Sequence, residues 1–240
     1  SDVREDVNGL IKQPIMISEN ALSLGSIPFL NIDTVITSPP YVNGTNYFRN
    51  TKIELWFLRC LVTNDDLARY RKKAITAGIN DVTLGKTRLS KNPQVQQIVK
   101  MLEENAYDSR IPRMIGSYFR EIEDVFSFIR HHLTNKAIVT IDIGDSCYGG
   151  VHVPVDKLLT ACLQTLGFED IDVTELRKRR SKGGSILKQT LLVYHYRGIN
   201  NRSCIYDVGS WKKDWMQFKD QLPQQQNPYA KRNWGHSLHS

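Results

Sequence analysis

Three features of the sequence predict an open α/β fold. A short apolar run, 33–37, ends in two consecutive prolines, Pro39 and Pro40. An amphipathic helical stretch, 115–133, leads into the almost continuous apolar run KAIVTIDIG, 136–144. Two further strand-like runs then flank the turn SKGGS. Strand, helix, strand, helix and a closing hairpin is the order of a mainly parallel sheet that takes one antiparallel strand at its end.

Taken in order, PIMIS (14–18) is a first strand and DTVIT (33–37) a second, buried one, joined by a linker carrying Gly25 and Pro28. After the Pro-Pro corner, NTKIELWFLRCL is dense in apolar residues and reads as helix, with Trp56 and Phe57 in the core. Thr63 followed by Asp66 has the spacing of a capping box, which starts the next helix. Residues 75–112 are polar and weakly periodic, with one short helix near 93–105, so they read as an insertion or mobile recognition segment rather than core.

Ile115, Tyr118, Phe119, Ile122, Phe126, Ile129 and Leu133 then recur on one helical face. The strand after them is apolar at nearly every position, the pattern of a strand covered on both sides. In PVDKLLTACLQTLGF, Pro154 sits at the helix start and Gly167 at its stop. The last forty residues lose periodicity and read as an extended arm anchored by Trp211, Trp215 and Trp234.

Composition limits the classes of function. The 240 residues hold 32 Lys and Arg against 25 Asp and Glu, a net charge of +7 that favours a polyanionic partner, nucleic acid first. The four cysteines form no CxxC pair, so neither a zinc site nor a disulfide framework is indicated, and a reducing cytoplasm fits. No run reaches membrane-spanning length. GINDVTLGKT has six residues between Gly78 and Gly85 where a phosphate loop needs four. His236 and His239 have metal-like spacing but no third ligand beside them, so no metal site is expected.

The corner Ser38-Pro39-Pro40-Tyr41 lies where α/β sheets bind ligands, beyond the carboxyl end of a strand. Prolines fix the backbone and offer carbonyls without N–H groups. Ser38 adds a hydroxyl acceptor and Tyr41 a flat surface. That set suits a flat substrate with an exocyclic amine, whose two donors Ser38 Oγ and the Pro39 carbonyl would accept. The same residues also suit a turn that merely ends a strand, with Tyr41 capping the core. The densest basic cluster, Arg177, Lys178, Arg179, Arg180 and Lys182, reads either as a solvated hairpin tip or as a phosphate contact.

TSPPY after an apolar strand resembles the catalytic motif of the S-adenosylmethionine-dependent amino-methyltransferases of DNA, and the longer run TSPPYVNGTNYFRNTKIELWFL is similar to one subgroup of bacterial modification methylases. The resemblance is firmest over 17–62 and 113–197. It implies a class I methyltransferase sheet, Rossmann-like and here partial, with a polar and helical insertion. The implied activity is direct methyl transfer from S-adenosylmethionine to the amino group of a base swung out of DNA. The serine form of the corner favours cytosine N4 over adenine N6. RNA or protein-glutamine amino-methylation, or a DNA-binding module without catalysis, are the alternatives.

By the same resemblance Ser38, Pro39, Pro40 and Tyr41 are catalytic, and Asn20, Thr37 and Ser38 meet the cofactor. Asn20 stands where the family usually carries an acidic residue. Asn43, Tyr47, Arg49, Arg177, Arg179, Arg180 and Lys182 would hold nucleic acid. The family's Gly-rich cofactor turn is not found, and NWGHSLHS resembles the segment that precedes the cofactor strand in permuted members. The chain therefore reads as a catalytic half: 1–62 the corner strand, 63–113 an insertion for target recognition, 114–198 the second part of the core, and 199–240 an arm. The cofactor half would lie in a C-terminal continuation or a second chain. A bacterial or archaeal cytoplasmic, nucleoid-associated enzyme is the expectation.

Overall fold

The computed structural model describes residues 20–22, 30–42, 50–82, 88–181 and 183–198. The expected strand at 14–18, the arm at 199–240, and Asn43, Tyr47, Arg49 and Lys182 lie outside the described residues.

Strand β1 spans Ile32–Thr37, and the short helix α1 spans Lys52–Phe57. Helix α2, Asn64–Lys73, begins at the expected box: the Asp66 carboxylate reaches back to the amides of Thr63 (2.7 Å) and Val62 (2.9 Å). Helix α3, Pro93–Asn105, starts behind Asn92, whose Oδ1 accepts from the Gln94 amide at 3.0 Å. The long helix α4 covers Arg110–Ile129 and hands over to β2, Leu133–Gly144. A small hairpin of β3, Ser146–Tyr148, and β4, Val151–Val153, precedes α5, Val155–Gln164. Strands β5, Phe168–Arg180, and β6, Ile186–Tyr196, complete the chain's α/β architecture.

The main sheet has the order β1-β2-β6-β5 and is mixed. β1 runs parallel to β2, whereas β6 is antiparallel to both β2 and β5, as the hairpin pattern predicts. Val139, Ile141 and Ile143 of β2 point to one face. There they share a core with Val95, Val99 and Leu102 of α3, Ile115, Tyr118 and Phe119 of α4, and Leu158, Leu159 and Cys162 of α5. Burying each such side chain contributes about 1.5–3 kcal/mol, so this face holds the sheet.

Several expectations need correction. β2 is not covered on both sides: its burial alternates, and Ile138, Thr140 and Asp142 on the second face are only half-buried. β1 is likewise not a buried strand, because Ile36, registered with Thr140 on that face, is 79% exposed. Among the described residues β1 pairs with β2 alone and forms the sheet edge. Trp56 and Phe57 are not core; they are 62% and 73% exposed, on a helix with no buried residue. Conversely, the stretch 75–112 is not outside the core, since Val95, Val99 and Leu102, at helical spacing, are buried in it. The polar residues between them masked the stripe. No helix of the described residues is long and apolar enough to cross a membrane.

Candidate active site

The corner forms because β1 must stop: Pro39 and Pro40 have no N–H to extend the ladder. Thr37, the last residue of β1, is half-buried and registers with Ile141. One step on, Ser38 is exposed, and its hydroxyl leans on the Asp142 carbonyl at a long 3.4 Å. A hydroxyl whose hydrogen points at that carbonyl turns its lone pairs outward, as an acceptor. Pro39 is buried, whereas Pro40 and Tyr41 are half-buried.

Tyr41 is fixed on two sides. Gln189 of β6 donates from Nε2 to the Tyr41 hydroxyl at 3.0 Å. Gly144, at the end of β2, leaves room for the ring: a Cβ there would lie 3.2 Å from Cδ2. The same Gln189 nitrogen sits 2.9 and 2.8 Å from the two carboxylate oxygens of Asp142. The corner is closed by Val42, fully buried, whose carbonyl accepts from Ser146 Oγ (2.7 Å) and Tyr148 Oη (2.8 Å). Burial pushes the Tyr148 phenol up from its ordinary value, so it stays protonated and keeps donating. The result is an accepting hydroxyl and a held aromatic ring side by side at the end of two parallel strands.

Behind the corner, Asp145 ties four pieces together. Its amide donates to the Lys188 carbonyl (2.9 Å), and its Oδ1 accepts from the Val155 amide (3.1 Å) at the start of α5. Its Oδ2 lies 2.9 Å from His152 Nε2. Its carbonyl accepts from Arg179 Nη2 at 3.3 Å. Burial first, and then the charge of Asp156, raise the Asp145 carboxyl above the usual range, while His152 and the Val155 amide oppose this.

Arg177, Arg179 and Arg180 are all exposed on β5. Register divides the cluster. Arg177 stands opposite Gln189 and so shares the face of Tyr41, as does Arg179 two residues on, whereas Lys178 and Arg180, opposite Lys188 and Ile186, lie on the other face. Lys178 is also engaged by Glu175 at 3.2 Å.

The structure thus brings together Thr37, Ser38, Pro39, Pro40 and Tyr41, with Arg177 and Arg179 on the face of Tyr41 and Arg180 on the other face. Asn20 serves locally: its Nδ2 donates to the Lys73 carbonyl (2.8 Å) and its Oδ1 accepts from the Leu22 amide (3.0 Å), holding the last turn of α2. Asp142, Gly144, Ser146, Tyr148 and Gln189 join the site without having been singled out by sequence reasoning. A polar Asp and a Gly at alternate positions of an otherwise apolar strand were the available signal for the first two.

No family model matches the chain. It is 27% identical over 149 residues to the type II methyltransferase M.AvaI of a Nostoc strain, covering 57% of this chain and 30% of that protein. The same figures hold for the M.AvaI of Anabaena variabilis. The type II methyltransferase M.BsoBI of Geobacillus stearothermophilus is 25% identical over 203 residues, covering 73% of this chain and 38% of that protein. Among solved structures, a protein of Thermus thermophilus named as a candidate DNA modification methylase aligns with a TM-score of 0.37 and 15% identity over 83% of this chain and 61% of that one. So loose a superposition carries no argument. The chain spans about a third of the length of the curated relatives it matches, 30% and 38%. By sequence it is similar, at 25–27% identity, to part of these type II methyltransferases.

Proposed function

We propose that this chain is the base-binding, catalytic part of a DNA methyltransferase that methylates an exocyclic amino group, cytosine N4 before adenine N6. The observation that carries this reading is the pairing of the exposed Ser38 hydroxyl with a Tyr41 ring held by Gln189 and Gly144, at the carboxyl end of β1. A base extruded from the duplex would stack on Tyr41 and present its amine to Ser38 Oγ and the Pro39 carbonyl. Both acceptors draw the nitrogen lone pair out of conjugation, and Pro40 keeps the turn rigid. Arg177, Arg179 and Arg180, with Lys182, would grip the flanking phosphates, and Asn43, Tyr47 and Arg49 would line the approach. The segment 63–113 would contribute to target recognition.

S-adenosylmethionine would supply the electrophilic methyl group. The described residues offer acceptors and an aromatic ring, which suit the methyl-accepting base; they do not form a cradle for a sulfonium nucleoside. We therefore assign the cofactor to the portion of the relatives' length that this chain does not span. The edge of β1, unpaired among the described residues on the side away from β2, and the exposed Ile36, Trp56 and Phe57 are the surface such a portion would cover. The enzyme would belong to a bacterial restriction-modification pair and work in the cytoplasm.

The test has two parts. Calorimetric titration of S-adenosylmethionine into this 240-residue chain should show no micromolar binding. A protein extended to the relatives' length should then methylate DNA, with N4-methylcytosine as the nucleoside recovered after digestion. Micromolar binding by the chain alone would refute the catalytic-half assignment, and methylation of RNA alone would refute the substrate.

A further inference from the structure

Asp142 is the residue of the corner that the reading above leaves without a task. It touches both halves of the site. Its backbone carbonyl meets the Ser38 hydroxyl at 3.4 Å, and its carboxylate meets the Gln189 nitrogen that holds Tyr41. It lies on β2 two residues before Gly144, hence on the same face as the Tyr41 ring, and it is half-buried rather than sealed. A base stacked on Tyr41 with its amine at Ser38 would lay its edge along this residue.

Hydrogen counting shows what Asp142 has to offer. The Gln189 amide carries two hydrogens on Nε2, and three acceptors lie within 3.0 Å of it: Tyr41 Oη and both oxygens of Asp142. One hydrogen goes to the phenol, so the carboxylate shares the other. An ionised carboxylate has about four lone-pair sites and no donor. Among the described residues the Asp142 carboxylate takes hydrogen bonds from Gln189 alone, which leaves most of its accepting capacity open toward the corner. Gln189, in turn, keeps the carboxylate from rotating.

We propose that Asp142, clamped by Gln189 beside Tyr41, is a further acceptor in the base pocket that selects bases bearing an exocyclic amine over bases bearing a carbonyl at that position. This rests on the base-binding reading above. Cytosine presents an amine donor at N4 where uracil presents an oxygen acceptor. Of the amine's two hydrogens one goes to the Pro39 carbonyl and the other is shared by Ser38 Oγ and Asp142, whereas a carbonyl sets lone pairs against the carboxylate and gives it no donor beyond Gln189. A serine hydroxyl alone cannot enforce this choice, because it donates as readily as it accepts. The carboxylate has no such option.

The test is binding of the full 240-residue chain at low salt to three duplexes: one cytosine opposite an abasic site, one uracil opposite an abasic site, and an abasic site on both strands. Neither base is paired, so extrusion is similarly easy in the first two. Wild type should bind the cytosine duplex about tenfold more tightly than the uracil duplex. Asp142→Asn keeps an oxygen for Gln189 but turns an amide donor toward the base. It should bring the ratio, each affinity taken relative to the doubly abasic duplex, to within about twofold of parity. Gln189→Met, which frees the carboxylate, should also lower the ratio and serves if Asp142→Asn does not fold. A cytosine preference that survives in the folded variants overturns the proposal. Wild-type binding that is equal on all three duplexes overturns it while leaving the DNA reading intact. No binding to any duplex removes the DNA reading and this inference with it.

Discussion

Gly144→Ala would place a methyl carbon 3.2 Å from Cδ2 and 3.3 Å from Cε2 of Tyr41. Carbon atoms rest about 3.5–4.0 Å apart, so the ring must retreat by about 0.3–0.5 Å. It is not free to do so, because its hydroxyl is tied to Gln189 at 3.0 Å. Overpacking of this kind costs about 1–3 kcal/mol. In a Tyr41→Ala background the clash disappears, and alanine in place of glycine should instead stabilise by about 0.4–1 kcal/mol through the unfolded chain. The sign of the effect therefore reverses, and the coupling between the two sites should reach about 2 kcal/mol. Urea unfolding of wild type, both single variants and the double variant, followed by circular dichroism, measures it. Additivity within about 0.5 kcal/mol would mean that the ring does not rest on Gly144, and the account of how Tyr41 is held would fail.

The amides of Thr63 and Val62 hold the Asp66 carboxyl down to about 2. Its stabilising contribution is complete above the unfolded value near 4 and is lost as pH falls through about 2, so Asp66→Asn should remove that step from the acid-unfolding profile. Arg177→Gln should lower the slope of log binding constant against log salt on DNA by about 0.9, whereas Lys178→Gln, on the opposite face and paired with Glu175, should leave it nearly unchanged. Trp56→Ser with Phe57→Ser should shift unfolding by no more than about 0.5 kcal/mol each in this chain, since both are exposed; a larger loss would return them to the core. Removing one donor from the Val42 carbonyl, by Ser146→Ala or Tyr148→Phe, should cost about 0.5–1.5 kcal/mol in urea unfolding, and removing both should cost more than the sum.

The fold was legible wherever apolar periodicity was strong. Ile115, Tyr118, Phe119, Ile122 and Phe126 are the buried stripe of α4, and the runs around SKGGS are an antiparallel hairpin. The Thr63 and Asp66 box was legible because capping depends on neighbours in sequence. Apolar content alone misled twice: Trp56 and Phe57 are hydrophobic yet uncovered, and β2, read as apolar throughout, carries Thr140 and Asp142 on a face that is only half-covered. Burial is a property of what lies opposite, which composition does not encode. The corner itself was legible because its residues are contiguous. Its supports were not, because Asp142, Ser146, Tyr148 and Gln189 reach it from more than a hundred positions away. Nothing local marks Gln189 as the partner of Tyr41.

That separation has a consequence for the order of events in folding. The Ser38 contact with Asp142 closes a loop of 104 positions and the Tyr41 bond to Gln189 one of 148. Contacts this distant form late, after local helices and hairpins, because the entropy of closing the loop must be overcome first. As the chain leaves the ribosome, β1 and its proline turn emerge long before β2 and β6 exist to receive them. Until then the turn is a short rigid bend with a loose tyrosine and an unanchored hydroxyl. The chemistry of the corner is therefore gated by completion of the whole sheet, and a half-folded chain has no partial version of it.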